Sequence, residues 1–217
     1  MAVGLVTKVV VAVDGPAGSG KSSVSKAAAS ALGFDYLDTG AGYRAFTLHA
    51  MNNPGQTVAE LIASFDYRIS LDSEVQEVLL AGRDVTEQIR SASVAERVSE
   101  FARMPEVRSL QLSDARRRIA DSLAAGIIIE GRDITTVVAS DASVKVLLTA
   151  SEEVRLARRA GEQLEQPSNL LGRDASDSKV VDFFNPGPGV TLLDTTELSF
   201  DESVSALVDL IRRGTNG

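Results

Sequence analysis

Residues 9–22 read VVVAVDGPAGSGKS, an apolar run that passes directly into a glycine-rich turn. The last eight residues, from Gly15 to Ser22, fit the pattern GxxxxGKS. The apolar run predicts a buried strand over residues 9–13, and the periodic residues after the turn predict a helix over residues 22–32. This pattern binds phosphate when a strand precedes it and a helix follows it. The stretch therefore predicts a P-loop, in preference to a serine-capped turn that matches by chance.

The residues of this loop are suited to a polyphosphate ligand. Glycines permit positive φ angles and allow backbone N–H groups to approach phosphate oxygens, while the N-terminus of the following helix favours negative charge. Lys21 would bridge the β- and γ-phosphates of ATP, and Ser22 would provide a hydroxyl ligand to Mg²⁺. ATP and Mg²⁺ are thus the expected cofactors. The expected nucleotide-binding residues are Gly15, Pro16, Ala17, Gly18, Ser19, Gly20, Lys21, Ser22 and Ser23.

Apolar runs of strand length recur along the chain with helical patterns between them. After the first run they occupy residues 34–37, 127–129, 144–148 and 190–193. Five such runs that alternate with helices predict an α/β fold, with a parallel five-stranded sheet flanked by helices. The length of 217 residues suits one core domain with insertions. Residues 1–217 are therefore expected to form a single P-loop domain.

Two regions interrupt this alternation. Residues 57–103 contain a predicted hairpin, with strands over residues 67–71 and 77–80, and they are interpreted as an insert between the second and third core strands. Residues 163–188 carry prolines, glycines and alternating charges without a strand pattern. Such a segment is typical of a long functional loop, and we interpret it as a lid.

Composition limits the classes of partner. The formal net charge is −8 and the sequence pI is about 4.8, which opposes binding to nucleic acid or to an acidic membrane surface because both require clustered positive charge. The absence of cysteine from the sequence excludes disulfides and thiolate metal sites. No apolar run approaches the roughly 18 residues that span a membrane. We therefore expect a cytoplasmic protein with no nucleic-acid and no membrane partner.

The sequence also narrows the class of phosphate-binding protein. The guanine-reading pattern NKxD and the switch pattern DxxG are both absent from the sequence, which disfavours a GTPase. Transfer of a phosphoryl group between two anions requires cations beyond the P-loop, and these favour a small-molecule kinase. Candidate cations that follow the predicted strands are Arg44, Arg132, Arg155, Arg158 and Arg159. Because parallel strands end at one edge of a sheet, Asp14, Asp38 and Arg132 are expected to converge there with the P-loop.

Structural roles compete with these functional interpretations. Asp38 and Asp133 could be helix N-caps, since aspartate is favoured at that position. The arginines at positions 155, 158 and 159 could form a solvated helical face. His49 lies among apolar residues on a predicted helix, which favours a packing role. Taken by themselves, the residues leave these alternatives open.

Several motifs together resemble the bacterial cytidylate kinase family. They are the P-loop sequence VDGPAGSGKS, the sequence LDTG at residues 37–40 followed by Tyr43-Arg44, and the sequence EGRD at residues 130–133. The resemblance extends over nearly the whole chain. It implies transfer of the γ-phosphoryl group of ATP to CMP or dCMP by a P-loop kinase domain, with an acceptor-binding insert at residues 57–103 and a lid at residues 163–188. It also implies a small-molecule nucleotide as the partner, and we expect the chain to act as a monomer.

The resemblance also implies roles for individual residues. Arg44 and Arg132 would hold the acceptor phosphate. The cytosine edge would be read, and the nucleotide held, by Ser99, Arg108 and Asp133. Arg173 and Asp177 would contact the ribose from the lid. The remaining expected substrate-binding residues are Asp38 and Thr39, and the expected catalytic residues are Lys21, Arg132, Arg158 and Arg159.

The lid departs from the family pattern at one position. Val180 stands where the family has an arginine, with Lys179 directly before it. A lysine does not reproduce the bidentate contact of a guanidinium group, so acceptor selectivity is the weakest inference from the resemblance. Two other functions stay open: a P-loop kinase with an AMP-type or shikimate-type acceptor, and a nucleotide-binding module without turnover.

Overall fold

The computed structural model describes residues 8–161 and 185–215 of the chain. Its strands are β1 (Val9–Asp14), β2 (Asp35–Asp38), β3 (Tyr67–Ile69), β4 (Val78–Leu80), β5 (Arg83–Asp84), β6 (Gly126–Gly131), β7 (Val144–Thr149) and β8 (Thr191–Asp194). Its helices are α1 (Lys21–Leu32), α2 (Thr39–Asn52), α3 (Val58–Ala63), α4 (Ala92–Ala102), α5 (Pro105–Asp121), α6 (Glu152–Gly161) and α7 (Phe200–Thr215). A 3₁₀ turn occupies Gln88–Arg90, and a π-helical turn occupies Ile134–Val138.

The main sheet has five parallel strands in the order β2-β6-β1-β7-β8. Its central strands are continuous apolar runs because helices cover both faces of the sheet. Val11, Ala12 and Val13 of β1 are fully buried, as are the three isoleucines of β6 at residues 127–129. A separate apolar cluster lies on each face of the sheet. The helices α1 and α7 pack against each other on the same face. The predicted α/β fold with five parallel strands is confirmed.

Local signals explain where the helices begin and end. α1 ends at Gly33, whose φ of 65° is readily adopted by glycine. α2 begins immediately after β2, and the Asp38 side chain accepts a hydrogen bond from the Ala41 N–H as its N-cap. Pro105 occupies the first turn of α5, where its missing N–H costs nothing. None of the helices in the described ranges is both long enough and apolar enough to cross a bilayer.

Residues 57–103 form a small helical and β-sheet region beside the main sheet. The predicted hairpin is present as β3 and β4, which pair antiparallel with Tyr67 opposite Leu80, and β5 adds a third strand. The strands are shorter than predicted. The region packs against α2 through aromatic contacts, with the Phe46 and Phe101 ring centroids 5.7 Å apart in an edge-on arrangement. Its role as an acceptor-binding insert remains a prediction.

Candidate active site

A cavity of about 650 Å³ opens at the carboxyl ends of the central strands. The P-loop, the start of α2, α4 and the turn after β6 surround it. Many of the predicted site residues line it: Ala17, Gly18, Gly20, Lys21, Ser22, Ser23, Asp38, Thr39, Arg44, Ser99, Arg108, Arg132, Asp133 and Arg158. Gly15, Pro16 and Ser19 belong to the same loop but are buried behind its surface. The topology therefore brings together groups that are more than 100 residues apart in the chain.

The P-loop presents backbone N–H groups to this cavity. α1 begins at Lys21, directly after Gly20, whose φ is 87°. Because the residue before the helix is glycine, no side chain caps the first turn. The N–H groups at the start of a helix have no acceptor within the helix and favour an anionic ligand. The loop can therefore bind an anion through its backbone.

Gly18 lies against the backbone of α6. Its φ is 74°, and a Cβ atom built there would lie 2.7 Å from the backbone carbonyl oxygen of Arg155. We expect Gly18→Ala to weaken ATP binding about tenfold or more, because it adds both left-handed strain and a backbone clash that must move the loop. Isothermal titration calorimetry measures this affinity. Gly33→Ala is the matched control, since Gly33 has a φ of 65° but open space around its Cβ position. A Gly18→Ala protein with unchanged ATP affinity would contradict the tight-loop explanation.

Glu130 connects the P-loop to the end of β6. Its carboxylate is 2% exposed and accepts hydrogen bonds from the Ser22 hydroxyl at 2.7 Å and from the Tyr36 hydroxyl at 3.3 Å. The Lys21 Nζ lies 3.8 Å from its second oxygen. Burial, followed by the nearby negative charge of Asp38, raises the pKa of Glu130. Sequence analysis quoted Glu130 only as part of a motif and assigned it no role.

Asp38 and Arg44 form an ion pair at the start of α2, where both residues line the cavity. The Asp38 Oδ1 atom caps α2 at 3.1 Å from the Ala41 N–H, and Oδ2 accepts from Arg44 Nη2 at 2.7 Å. The cap interpretation and the site interpretation of Asp38 are therefore compatible. Burial acts to raise the pKa of Asp38, but Arg44, Arg90 and Lys21 outweigh it and hold that pKa below its usual range. The Arg44 Nε atom is buried without a hydrogen-bond partner in the part of the chain that the structure describes.

Arg90 is a second residue that sequence reasoning missed. It ends the 3₁₀ turn of the region 57–103, its side chain is exposed, and it lines the cavity. The sequence pattern assigned Arg90 no role, and only tertiary packing shows that it lines the cavity.

A second ion pair lines the cavity near α5. The Arg108 Nη2 atom donates to Asp133 Oδ2 at 2.5 Å. Tyr43 lies near both groups, and burial together with the charge of Asp133 raises the pKa of Tyr43 to about 12. Asp133 precedes the π-helical turn without capping it through its side chain. Asp133 therefore occupies an N-cap position without a side-chain cap, and its place in the cavity suits a polar ligand.

Asp14 reaches the same sheet edge but has a structural role there. It is 3% exposed and accepts hydrogen bonds from the Ile134 N–H at 2.8 Å and from the Thr135 N–H and hydroxyl at 2.9 and 2.6 Å. These bonds tie the turn after β6 to β1. Burial raises the pKa of Asp14 against the effect of these hydrogen bonds.

We expect Asp14→Ala to lower the free energy of unfolding by roughly 2–4 kcal/mol, because it leaves buried N–H groups without an acceptor. Urea denaturation measures this change. The Asp14→Asn variant keeps one acceptor oxygen of similar shape and should show a smaller loss. If alanine and asparagine were equally mild, these hydrogen bonds would not be what holds the turn.

The arginines of α6 contact the P-loop backbone. Arg155 is 5% exposed and its Nη1 atom donates to the Ala17 carbonyl at 3.0 Å, so the solvated-face alternative is wrong for this residue. Arg158 donates to the carbonyls of Ser19 and Thr195, both at 2.9 Å. The Arg159 side chain and the lid residues Arg173, Asp177, Lys179 and Val180 lie outside the described part of the chain.

His49 does not line the cavity. Its ring lies 5.7 Å from the Phe65 ring between centroids, and its Nε2 atom is 3.0 Å from the Ser64 hydroxyl. The predicted packing role is consistent with these contacts. In residues 8–161 and 185–215, no group of three or more histidine, aspartate or glutamate side chains is placed to hold a metal ion by itself.

The sheet order, the glycine-rich loop after the central strand and the cation-lined cavity define a P-loop kinase. Among sequences, a family model described as cytidylate kinase matches residues 11–213. The cytidylate kinase of Rhodococcus jostii (strain RHA1) is 40% identical over 96% of this chain and 97% of its own length. That of Exiguobacterium sibiricum is 41% identical over 94% of this chain and 96% of its own. This chain belongs to the cytidylate kinase family.

Solved structures support the fold. A gluconokinase from Sinorhizobium meliloti 1021 matches with a TM-score of 0.53 and 18% identity, over 96% of this chain and 94% of that chain. An uncharacterized protein from Eubacterium ventriosum ATCC 27560 matches with a TM-score of 0.51 and 11% identity, over 94% of this chain and 99% of that chain. At these identities the likeness concerns the fold alone.

Proposed function

We propose that the chain transfers the γ-phosphoryl group of ATP to CMP and to dCMP, with Mg²⁺ as cofactor. The observation that carries this proposal is that one cavity is lined both by the P-loop with Lys21 and by three arginines outside the loop, Arg44, Arg90 and Arg132. We assign Lys21 and the P-loop N–H groups to the donor ATP, and the three arginines to the acceptor. Two polyanions held in one cavity need such paired positive surfaces, because positioning and charge neutralisation supply most of the catalysis in phosphoryl transfer.

On the donor side, the loop and α1 would hold the ATP phosphates. The backbone N–H groups of residues 17–22 would bind phosphate oxygens, and Lys21 would neutralise the transferred group. Ser22 offers an exposed hydroxyl whose hydrogen is donated to Glu130. One such oxygen beside nucleotide phosphates fits Mg²⁺, which prefers oxygen ligands and takes few of them from protein. When bound, Mg²⁺ would supply further neutralisation of phosphate charge.

On the acceptor side, the guanidinium groups would hold the monophosphate. Asp38 uses only part of the hydrogen-bonding capacity of Arg44, so donors remain for phosphate oxygens. Arg132 follows β6 in the turn that faces the P-loop. Both residues would orient the acceptor oxygen toward the γ-phosphate, and Asp38 and Thr39 would hold this side of the site in place.

The base would lie against the second ion pair. Arg108 and Asp133 present a donor and an acceptor side by side, and Ser99 lines the same cavity. These groups complement the amino group, ring nitrogen and carbonyl oxygen of cytosine. We assign them the reading of the cytosine edge and the holding of the nucleotide. Arg173 and Asp177 of the lid segment would contact the ribose.

Arg158 and Arg159 would shield the transferred group from water, together with residues 163–188. Water exclusion matters because an open site would hydrolyse ATP. Arg158 is anchored to the carbonyl oxygens of Ser19 and Thr195, so contact with a phosphate would require exchange of at least one of these bonds.

An acceptor panel tests the function. ADP formation is measured with CMP, dCMP, UMP, AMP, GMP and shikimate at equal concentrations. We expect the largest kcat/KM with CMP and dCMP. Turnover with only AMP or only shikimate would show that this compound, and not CMP, is the acceptor. ATP binding without acceptor-dependent ADP release would indicate a non-catalytic module.

We further propose that the chain acts as a cytoplasmic monomer without a nucleic-acid or membrane partner. The net charge of −8 disfavours contact with the phosphates of nucleic acid. Light scattering coupled to size-exclusion chromatography checks the state of assembly, and a mass near twice 22.9 kDa would refute the monomer.

A further inference from the structure

Tyr36 is a buried tyrosine directly behind the donor side of the cavity. It lies on β2, is 2% exposed, and packs in the apolar cluster that includes Val24 and Ala28 of α1. Packing accounts for the aromatic ring but does not account for the hydroxyl group. A buried hydroxyl needs a partner, and this one donates to the Oε1 atom of Glu130 at 3.3 Å.

The same Glu130 oxygen also accepts the hydrogen bond from Ser22. Ser22 Oγ lies 2.7 Å from Oε1, whereas Oε2 faces Lys21 Nζ at 3.8 Å. A serine hydroxyl has one hydrogen and two lone pairs. While Glu130 takes the hydrogen, both lone pairs of Ser22 remain available for a cation. The orientation of the Ser22 hydroxyl therefore depends on the position of the Glu130 carboxylate.

We infer that Tyr36 is a positioning residue of the donor site, which acts through Glu130 to orient the hydroxyl of Ser22 toward a phosphate-bound Mg²⁺ ion. This inference rests on the proposed function of Ser22 as a metal ligand. Tyr36 is buried and holds Oε1 in place through a second hydrogen bond. The strand register supports the arrangement. Asp38 of β2 pairs with Glu130 of β6, and Tyr36 of β2 pairs with Ile128 of β6, so Tyr36 is two residues away from the partner of Glu130.

The test is the affinity for ATP with and without Mg²⁺ in Tyr36→Phe, which removes the hydroxyl and keeps the ring. We expect the affinity for ATP with Mg²⁺ to fall about five- to tenfold, the usual effect of one lost hydrogen bond. In EDTA the affinity should change less than about twofold, since the variant keeps the P-loop and Lys21. Equal losses in both conditions, or no loss in either, would overturn the inference.

A double-mutant cycle separates positioning from packing. In a Ser22→Ala background, Tyr36→Phe should have no further effect on the Mg²⁺ dependence of ATP binding, because the hydroxyl group that Tyr36 orients through Glu130 is absent. Full additivity would show that Tyr36 acts by another route. Thr47→Val is a matched control, since it removes a buried hydroxyl that donates to the Tyr43 carbonyl and has no hydrogen bond to Glu130. It should leave the Mg²⁺ dependence unchanged.

Glu130→Met provides an independent variant in case Tyr36→Phe does not fold. It keeps the length of the side chain and removes the oxygen that accepts from both Ser22 and Tyr36, so the Mg²⁺ dependence of ATP binding should again decrease, and an unchanged dependence would overturn the inference. Failure of the inference differs from failure of the proposed function. The first leaves CMP turnover by the unmodified chain intact, and the second removes that turnover.

Discussion

Replacement of Lys21 by alanine is expected to reduce kcat by roughly 10³-fold or more, the range found when a charge-stabilising group is removed from a phosphoryl or acyl transfer site. Lys21 is the first residue of α1, its side chain is 14% exposed, and it lines the cavity beside the P-loop. In the proposed function the side chain supplies positive charge to the donor phosphates, and it belongs to none of the apolar clusters. The fold should therefore persist. A coupled assay of ADP formation measures kcat, and circular dichroism checks the fold.

Lys26→Ala is the matched control for this prediction. Lys26 lies on the same helix but does not line the main cavity. Its replacement should leave kcat within about twofold, as expected for a partly exposed charge outside the site. A Lys21→Ala enzyme with near-normal kcat would show that Lys21 does not neutralise the transferred phosphoryl group.

Replacement of Arg132 by alanine should impair use of the acceptor far more than binding of ATP. Arg132 directly follows β6, between Gly131 and Asp133, and lines the cavity. A charge-assisted hydrogen bond contributes about 1.5–3 kcal/mol, so the KM for CMP should rise about tenfold to 100-fold. The Kd for ATP should change less than about threefold, since the P-loop is untouched. Steady-state kinetics and calorimetry give the two quantities.

Two further variants strengthen this test. Arg132→Lys retains the charge but loses the planar fork, so it should recover only part of the acceptor affinity. Arg68→Ala removes an arginine that is 78% exposed and 4.0 Å from Asp66, outside the cavity, and it should have no effect on either nucleotide. Equal losses for CMP and ATP in Arg132→Ala would contradict its placement on the acceptor side.

The elements that sequence analysis predicted correctly are those with strong local signals. The strand, loop and helix at residues 9–32 combine an apolar run, a glycine motif and helical periodicity. The β6 and β7 strands are mostly apolar because both faces of the sheet are covered. The helix α3, the strand β5 and the π-helical turn were not predicted. Each has six residues or fewer, too short for a periodic pattern to be distinctive.

The site was predicted where a motif marks it and missed where packing decides it. Lys21, Arg44 and Arg132 stand in recognisable motifs beside strand ends, and the structure brings all three to one cavity. Glu130 shares the EGRD motif with Arg132, but neither it nor Arg90 was assigned a role from the sequence. Their roles follow from which strand lies next to β1 and from the fold of residues 57–103 over α2.

The sequence by itself determined the α/β architecture, the phosphate-binding loop and the family, because these depend on hydrophobic periodicity and on residues adjacent along the chain. Only the tertiary structure decided that Asp14 ties the turn after β6 to β1, that Arg155 is buried against the loop, and that Tyr36 and Ser22 share one oxygen of Glu130. The physical reason is that these contacts join residues far apart in sequence, and the order β2-β6-β1-β7-β8 that brings them together is set by packing of the whole sheet.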